Sequence, residues 1–335
     1  MRKILLRALA ALLLLTMLVP FASCGGNADA DGNDDDHNSS TYHTITFNTK
    51  GGSTIKPITV KHGSFATPPS DPVMDNYVFH RWETSEGRAF FLDVYKIESD
   101  LTLEAIWIKA EDLFTLAPMP DSDGIMITGL KRVLDLDILN IPKIINGKTL
   151  EGLGENTFSD FPSDVDTVIV FPDSVRYIGK NALPSSDKIT FMLNGTIKYI
   201  EEGSFANLYT LTSVKLGEGP TAIPIEAFYS CLSLKTIDIP NGVTVIEESA
   251  FEKCSSLLTV VIPASVEAIA HSAFNDCDAL KTIFYKGTPE QFDAIEIDNE
   301  NEAIAEAKVY FYSEEQPTEE GDFWHYDKNG NPVIW

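Results

Sequence analysis

Residues 227–240 read AFYSCLSLKTIDIP, residues 250–263 read AFEKCSSLLTVVIP and residues 273–285 read AFNDCDALKTIFY. The three phrases begin 23 residues apart and each carries a cysteine, at Cys231, Cys254 and Cys277. The same spacing of 23 runs through Phe205, Phe228, Phe251 and Phe274, through Leu211, Leu234, Leu257 and Leu280, and through Ile200, Ile223, Ile246 and Ile269. Looser copies precede them around Val168–Leu183 and Leu139–Phe158, which makes about six units. A fixed period of this length with leucines at constant offsets predicts a leucine-rich solenoid, a fold in which each coil contacts only its neighbours.

One unit shows why. In LKTIDIP, alternation turns Leu234, Ile237 and Ile239 inward and Thr236 and Asp238 outward, and Pro240 stops the strand. In the return segment VTVIEESAF, Val243, Ile246, Ala250 and Phe251 point inward. A single coil cannot bury so many apolar groups, whereas stacked coils can, so equivalent residues are expected to lie directly over one another. Cys231, Cys254 and Cys277 then form a structural ladder with the Phe205–Phe274 series. Ser185 or Ser186, and Leu208 or Tyr209, fall near the cysteine phase in the less regular coils. Free thiols in a tight turn are the expected state; one disulfide between adjacent rungs is the alternative, with one cysteine left over. Zinc sites pair ligands at C-x₂₋₄-C, and no such pair occurs, so no metal is expected. Irregularity near Leu183 and in FMLNGTIKYI predicts imperfect coils in the middle of the array.

The pattern L.sI.IP..V..I...AF..C.s resembles the BspA-type leucine-rich repeats of bacterial and some protist surface proteins. The resemblance covers residues 110–287, with GIMITGLKRVLDLDILNIPKIINGKTLEGLGENTF as an irregular N-terminal hairpin cap. It implies adhesion or recognition of an extracellular protein or glycan at a cell surface. Outward strand positions supply two rows for such recognition: Ser213, Thr236, Thr259, Thr282, and Lys215, Asp238, Val261, Phe284. The first row also favours β structure as such. In the second, Val261 and Phe284 read either as an exposed contact patch or as residues packed beneath the C-terminal segment.

That segment, residues 288–335, is expected to close the solenoid as a helix plus hairpin. Thr288, Pro289 and Gln291 spell a helix start, AKVYFYS a strand, and FWHYDKNGNPVIW a hairpin turning at Asn329-Gly330. His325, between Trp324 and Tyr326, reads as structural.

Ahead of the repeats, residues 43–109 alternate strand-like runs with turn signals, and TPPSDP fits no helix or central strand. The order TFNTKGGS, then V..G, P..P, Y.F..W and DLTLEAIW resembles the Listeria–Bacteroides repeat, also called the internalin B-repeat. That family implies a small β-grasp-like module, and Tyr77, Phe79, Trp82 and Trp107 are expected as its core aromatics; an aromatic sugar platform is the other reading.

The chain begins with a basic head, an apolar run from Ala8 to Phe21, and FASC. The run is short for a membrane span, which predicts an export signal over residues 1–23. FASC resembles the lipobox of bacterial lipoprotein signal peptides, with Phe21 where an aliphatic is usual. The resemblance implies lipidation at Cys24 and attachment to a bacterial membrane on its extracellular face. Residues 24–42, rich in Gly, Asn, Asp and Ser, read as an acidic flexible tether. Asp29, Asp31 and Asn33 have calcium-ligand spacing, but Asp34 and Ser40 stand where an EF-hand loop needs Gly and Glu.

Charge excludes one partner class. The 25 basic residues include Arg2, Lys3 and Arg7, which leaves 22 against 50 acidic residues and a net −28 beyond the head. Such a surface repels a phosphate backbone, so nucleic acid is not expected. The six histidines are scattered at 37, 43, 62, 80, 271 and 325, and no H-E-x-x-H, G-x-S-x-G, phosphate loop or dinucleotide fingerprint occurs. No cofactor, catalytic residue or enzymatic activity is expected, a carbohydrate-active enzyme being the remote alternative. The whole reads as mainly β: a small module followed by a solenoid that binds a ligand or serves as an envelope spacer.

Overall fold

The computed structural model describes residues 41–335 except 135, 163–165 and 319. The signal segment, Cys24 and nearly all of the tether, including its calcium-like spacing, lie outside the described residues. Among the described residues no helix is long and apolar enough to cross a membrane. The chain divides into two compact units, the first built on residues up to 108 and the second on residues from 109 onward, with residues 75–78 grouped with the second.

The first unit is a mixed four-stranded sheet of β1 (Tyr42–Asn48), β2 (Ile58–Lys61), β3 (Tyr77–Thr84) and β4 (Leu101–Lys109), in the order β2-β1-β4-β3. β1 runs antiparallel to β2 and parallel to β4. The alternation in TITF puts Ile45 and Phe47 in the core and leaves Thr44 and Thr46 in water. They meet Val60, Phe79, Trp82, Leu103 and Ala105, with Leu92 and Ile97 from the segment between β3 and β4. Phe79 bridges the two tryptophans, with ring centroids 5.1 Å from Trp82 and 5.6 Å from Trp107. Trp107 also donates Nε1–H to Thr49 O at 2.9 Å, and its ring lies over Gly52, where a Cβ would come within 2.4 Å of it. The GG of NTKGG is therefore a seat for that indole. Tyr77 stays half-buried and does not join the cluster.

The second unit is a stack of coils with two strand faces. It opens with α1 (Ala110–Leu113) and an antiparallel hairpin of β5 (Phe114–Pro118) and β6 (Ile125–Leu130). On the first face lie the parallel strands β7 (Ile138–Asn140), β10 (Thr167–Phe171) and β12 (Ile189–Leu193). The same face resumes with β15 (Thr236–Asp238), β17 (Thr259–Ile262), β19 (Thr282–Tyr285) and β21 (Lys308–Tyr312). On the second face, β8 (Ile144–Ile145) pairs with β9 (Lys148–Leu153), which is followed by β11 (Tyr177–Ile178) and β13 (Tyr199–Ile200). That face continues through β14 (Ala222–Ile223), β16 (Val245–Ile246), β18 (Ala268–Ile269) and β20 (Glu296–Ile297).

The register equals the repeat: Thr236 pairs with Thr259 and Thr259 with Thr282, each step 23 residues. The Phe205, Phe228, Phe251 and Phe274 rings are fully buried and stack at 5.0, 5.1 and 5.0 Å, the spacing of adjacent strands. Leu234, Ile237, Ile239, Val243, Ile246 and Ala250 are buried as their alternation requires, while Thr236 and Asp238 are exposed.

Three expectations change. The solenoid has about eight turns rather than six. The extra coil at its end comes from residues 288–312: β20 pairs with β18 and β21 with β19, both in parallel, so this segment continues the coils past residue 287. Thr282 pairs with Lys308, a step of 26 residues; the extra length includes α2 (Pro289–Asp293), started by the Thr288/Gln291 capping box, and α3 (Glu302–Glu306). Only the antiparallel pair β22 (Phe323–Tyr326) and β23 (Pro332–Ile334) closes the stack. Finally, Phe191–Leu193 of FMLNG belong to a regular strand, β12, whose five residues all pair with β10. The break in the first face falls one coil later, at residues 211–217, where no strand forms and a single bridge joins Leu216 to Ile197.

Candidate binding face

The cysteine ladder is structural. Cys231, Cys254 and Cys277 are buried free thiols, and each Sγ donates at 3.1 Å to a backbone carbonyl of the preceding coil, Phe205 O, Phe228 O and Phe251 O. No disulfide joins them. Leu208 and Ser186 occupy the same phase in earlier coils, also buried. Burial pushes the Cys231 thiol up to about 12, and it raises Cys254 and Cys277 likewise, with a neighbouring thiol adding to the rise in each. A thiol held neutral is neither a nucleophile nor a metal ligand. No group of three or more His, Cys, Asp or Glu side chains among the described residues is placed to hold a metal ion.

The outward rows of the first face divide at Asp238. Thr236 and Asp238 are exposed on β15; Ser213 and Lys215 are exposed too, but they lie in the 211–217 break and not at strand positions as expected, and Thr259 and Thr282 are half-buried. Val261 and Phe284 are not a contact patch: they are 4% and 6% exposed, packed with Trp324, Tyr310 and Tyr326. The closing hairpin is responsible. Trp324, fully buried, lies 5.2 Å from Phe284 ring to ring and donates Nε1–H to Tyr285 O at 2.9 Å. The hairpin therefore covers the face of the last coils as well as their end.

Asp238 marks the edge of that cover. Its carboxylate accepts from Tyr326 Oη at 2.8 Å and from Lys286 Nζ at 2.9 Å. Burial, and then the bond to Asp238, raise the Tyr326 hydroxyl well above the usual phenol range. Lys286 also faces the Tyr326 ring, 5.6 Å from its centroid, and lies 3.4 Å from Asn241 Oδ1. Asp238 is thus half spent on the hairpin, and Lys215 is the charged group of the two rows that keeps its exposure without a partner role in this clamp. His325 stacks on Trp335, with ring centroids 3.7 Å apart.

The second face holds polar residues that sequence patterns did not single out. Glu151 on β9 accepts from Ser122 Oγ at 2.6 Å and from Arg176 Nη2 at 2.6 Å. The Ser122 bond, with Arg176 behind it, holds Glu151 below the usual carboxylate range against its partial burial. Glu151 lines a shallow depression of about 340 Å³ with Asp123, Gly124, Gly147, Lys148 and Thr149. On the next coils Tyr177 Oη donates to Glu201, and the Arg176 guanidinium lies 5.9 Å over the half-exposed Tyr199 ring. Glu151, Ser122 and Arg176 belong to irregular early coils, where no repeat phase distinguishes them from spacer; only the fold brings them together.

Residues 137–257 and 185–295 match the BspA type Leucine rich repeat region, in six copies. Residues 137–295 of the solenoid are BspA-type leucine-rich repeats. The match carries the BspA-type repeat through residue 295, beyond the last 23-residue copy and into the coil that β20 completes. Residues 43–106 match the Listeria-Bacteroides repeat domain, the four-stranded first unit. Neither is a family of enzymes. No curated protein matches the chain.

Solved structures that resemble it include three leucine-rich repeat proteins. A leucine-rich repeat protein of T. pallidum is 21% identical over 61% of this chain and 97% of its own, with a TM-score of 0.45. One from Bacteroides ovatus is 27% identical over 60% of this chain and 54% of its own, TM-score 0.45. A leucine rich cell surface protein of Faecalibacterium prausnitzii is 21% identical over 66% of this chain and 59% of its own, TM-score 0.41.

Proposed function

We propose that this chain is a lipid-anchored bacterial surface protein that binds an extracellular protein or glycan on the open part of the BspA-type solenoid's first face. The observation that carries the reading is the division of that face. Its apolar end, Val261 and Phe284, is sealed by the chain's own Trp324, whereas Ser213, Lys215 and Thr236 stand in water on adjacent coils. A surface so finished offers hydrogen bonds and one cation, which fits an acidic or hydroxyl-rich ligand. FASC supports lipid attachment at Cys24, and two acyl chains there would hold so acidic a chain on a membrane that its charge alone would avoid. Thr259 and Thr282 extend the hydroxyl row, and cross-strand threonines stabilise a sheet without any ligand, which favours an envelope spacer as the second reading.

An array of extracellular-matrix proteins, host-surface proteins and glycans separates the two. The test protein is the full chain beside a Ser213→Glu, Lys215→Glu, Thr236→Glu variant. Saturable binding that the variant loses supports the receptor reading; no binding, or binding the variant keeps, supports the spacer or another face. Lipid attachment is tested separately by detergent-phase partition of the chain made in a bacterium, where Cys24→Ala is expected to move it to the aqueous phase.

A further inference from the structure

The first unit contains a histidine pair that the binding face does not use. His43 lies on β1, and His62 follows β2 at the end of the same antiparallel hairpin, with His62 N donating to Thr41 O at 2.8 Å. His43 Nε2 stands 2.9 Å from His62 Nδ1, with ring centroids 5.1 Å apart. Two imidazole nitrogens this close share one hydrogen, so one of them presents a bare lone pair.

Asp100 favours one arrangement. Its Oδ1 is fixed by a 2.8 Å bond from Thr44 N and lies 3.7 Å from His43 Nδ1, too far for a hydrogen bond but near enough to act by charge. Negative charge on that side favours the His43 hydrogen on Nδ1, which would leave the Nε2 lone pair facing His62. Carboxylate, then imidazole, then lone pair is the order by which proteins orient a histidine ligand toward a metal.

The spacing fits as well. Two nitrogens at about 2.05 Å from one ion and about 90° apart, as in octahedral or square-planar coordination, lie about 2.9 Å from each other. An ion would take the place of the shared hydrogen, which moves from His62 Nδ1 to His62 Nε2 without a net change in protons, and each ring would turn by about 45° to aim its nitrogen at the ion instead of at its neighbour. His62 and Asp100 are exposed, so water can fill the remaining coordination positions.

We propose that His43 and His62 form a surface site for a divalent first-row transition metal ion, with Asp100 as the positioning residue. Imidazole ligands select ions such as Ni²⁺, Cu²⁺ and Zn²⁺ over Ca²⁺ and Mg²⁺. The bound ion ties β1 to β2 at the edge of the sheet.

The test is calorimetric titration of Ni²⁺ and Zn²⁺ into the full chain, purified without a histidine tag. The variants are His43→Gln, His62→Gln, Asp100→Asn and, as a control, His37→Gln in the tether. One ion per chain is expected, with at least a tenfold loss of affinity in each His43 and His62 variant. Asp100→Asn should lose about tenfold and His37→Gln nothing. Cu²⁺ electron paramagnetic resonance separates the pair from adventitious binding to so acidic a surface, because only the pair gives nitrogen hyperfine structure that disappears in His43→Gln and His62→Gln. Circular dichroism of each variant confirms that it is folded. Absence of binding at millimolar ion, or equal binding by the His43→Gln, His62→Gln double variant, overturns the proposal.

Discussion

At the scale of the residue, what repeats is not always what reacts. The three cysteines are the most conspicuous chemical groups in the repeat, yet each is a small buried donor to the carbonyl beneath it. The pH consequence follows from the raised thiol of Cys231, about 12 when folded against an ordinary value of 9.0. Below pH 9 both states are neutral and the thiol's contribution is complete; as pH rises toward 12 the unfolded thiol ionises and the folded one does not, so stability falls. Each thiol contributes about 1.4 kcal/mol per pH unit in that window. Denaturant midpoints between pH 8 and 10 should fall more steeply for the parent than for Cys231→Ser. Tyr285 offers a second test. It is fully buried, and its hydroxyl has no hydrogen-bond partner among the described residues. Tyr285→Phe removes an unpaired polar atom and keeps the ring packing, and is expected to stabilise by about 1 kcal/mol in urea unfolding.

At the scale of the element, the coil is the unit of stability. Phe251 lies between Phe228 and Phe274, in contact with a ring on either side. Phe251→Ala therefore removes two stacked contacts and opens a cavity between coils, an expected loss of about 3–5 kcal/mol by chemical denaturation. Because each coil rests only on its neighbours, the loss should fall on both sides of the lesion and lower the cooperativity of solenoid unfolding. The turns carry a matching ladder of backbone strain. Ser230, Lys253 and Asp276, again 23 residues apart, all have positive φ, at 57°, 62° and 56°. Asp276 is exposed, and Asp276→Gly, which adopts that conformation freely, is expected to raise the melting temperature modestly.

At the scale of the whole solenoid, the closing hairpin determines which surface the protein shows. Trp324→Ala removes the indole that covers Val261 and Phe284 and is expected to destabilise the terminal coils by about 3–5 kcal/mol. It should also expose enough apolar surface to bind a hydrophobic dye. A variant that loses no stability and binds no more dye would show that the hairpin does not seal the face. Tyr326→Phe is a milder probe, since it releases Asp238 from one of its two partners and leaves the ring in place.

The repeat, its period, the inward and outward positions of each regular coil and the inert cysteine ladder were all legible in the amino-acid order. A 23-residue spacing fixes the register of parallel strands, because each coil must place the same apolar groups over the last. The capping box at Thr288 and the strand at Lys308–Tyr312 were legible for the same local reason. Three features were not. Residues 288–312 hide a further coil because its step of 26 departs from the period, so that only strand pairing reveals it. The sequence left Val261 and Phe284 between an exposed patch and packing beneath the C-terminal segment, and Trp324, 63 and 40 positions further along the chain, decides for packing. His43 and His62 are separated by 19 positions and share no motif, yet an antiparallel hairpin sets their nitrogens 2.9 Å apart. Periodic burial is written in sequence because it repeats with the backbone geometry. A contact between residues at unrelated phases is decided only when the chain closes on itself.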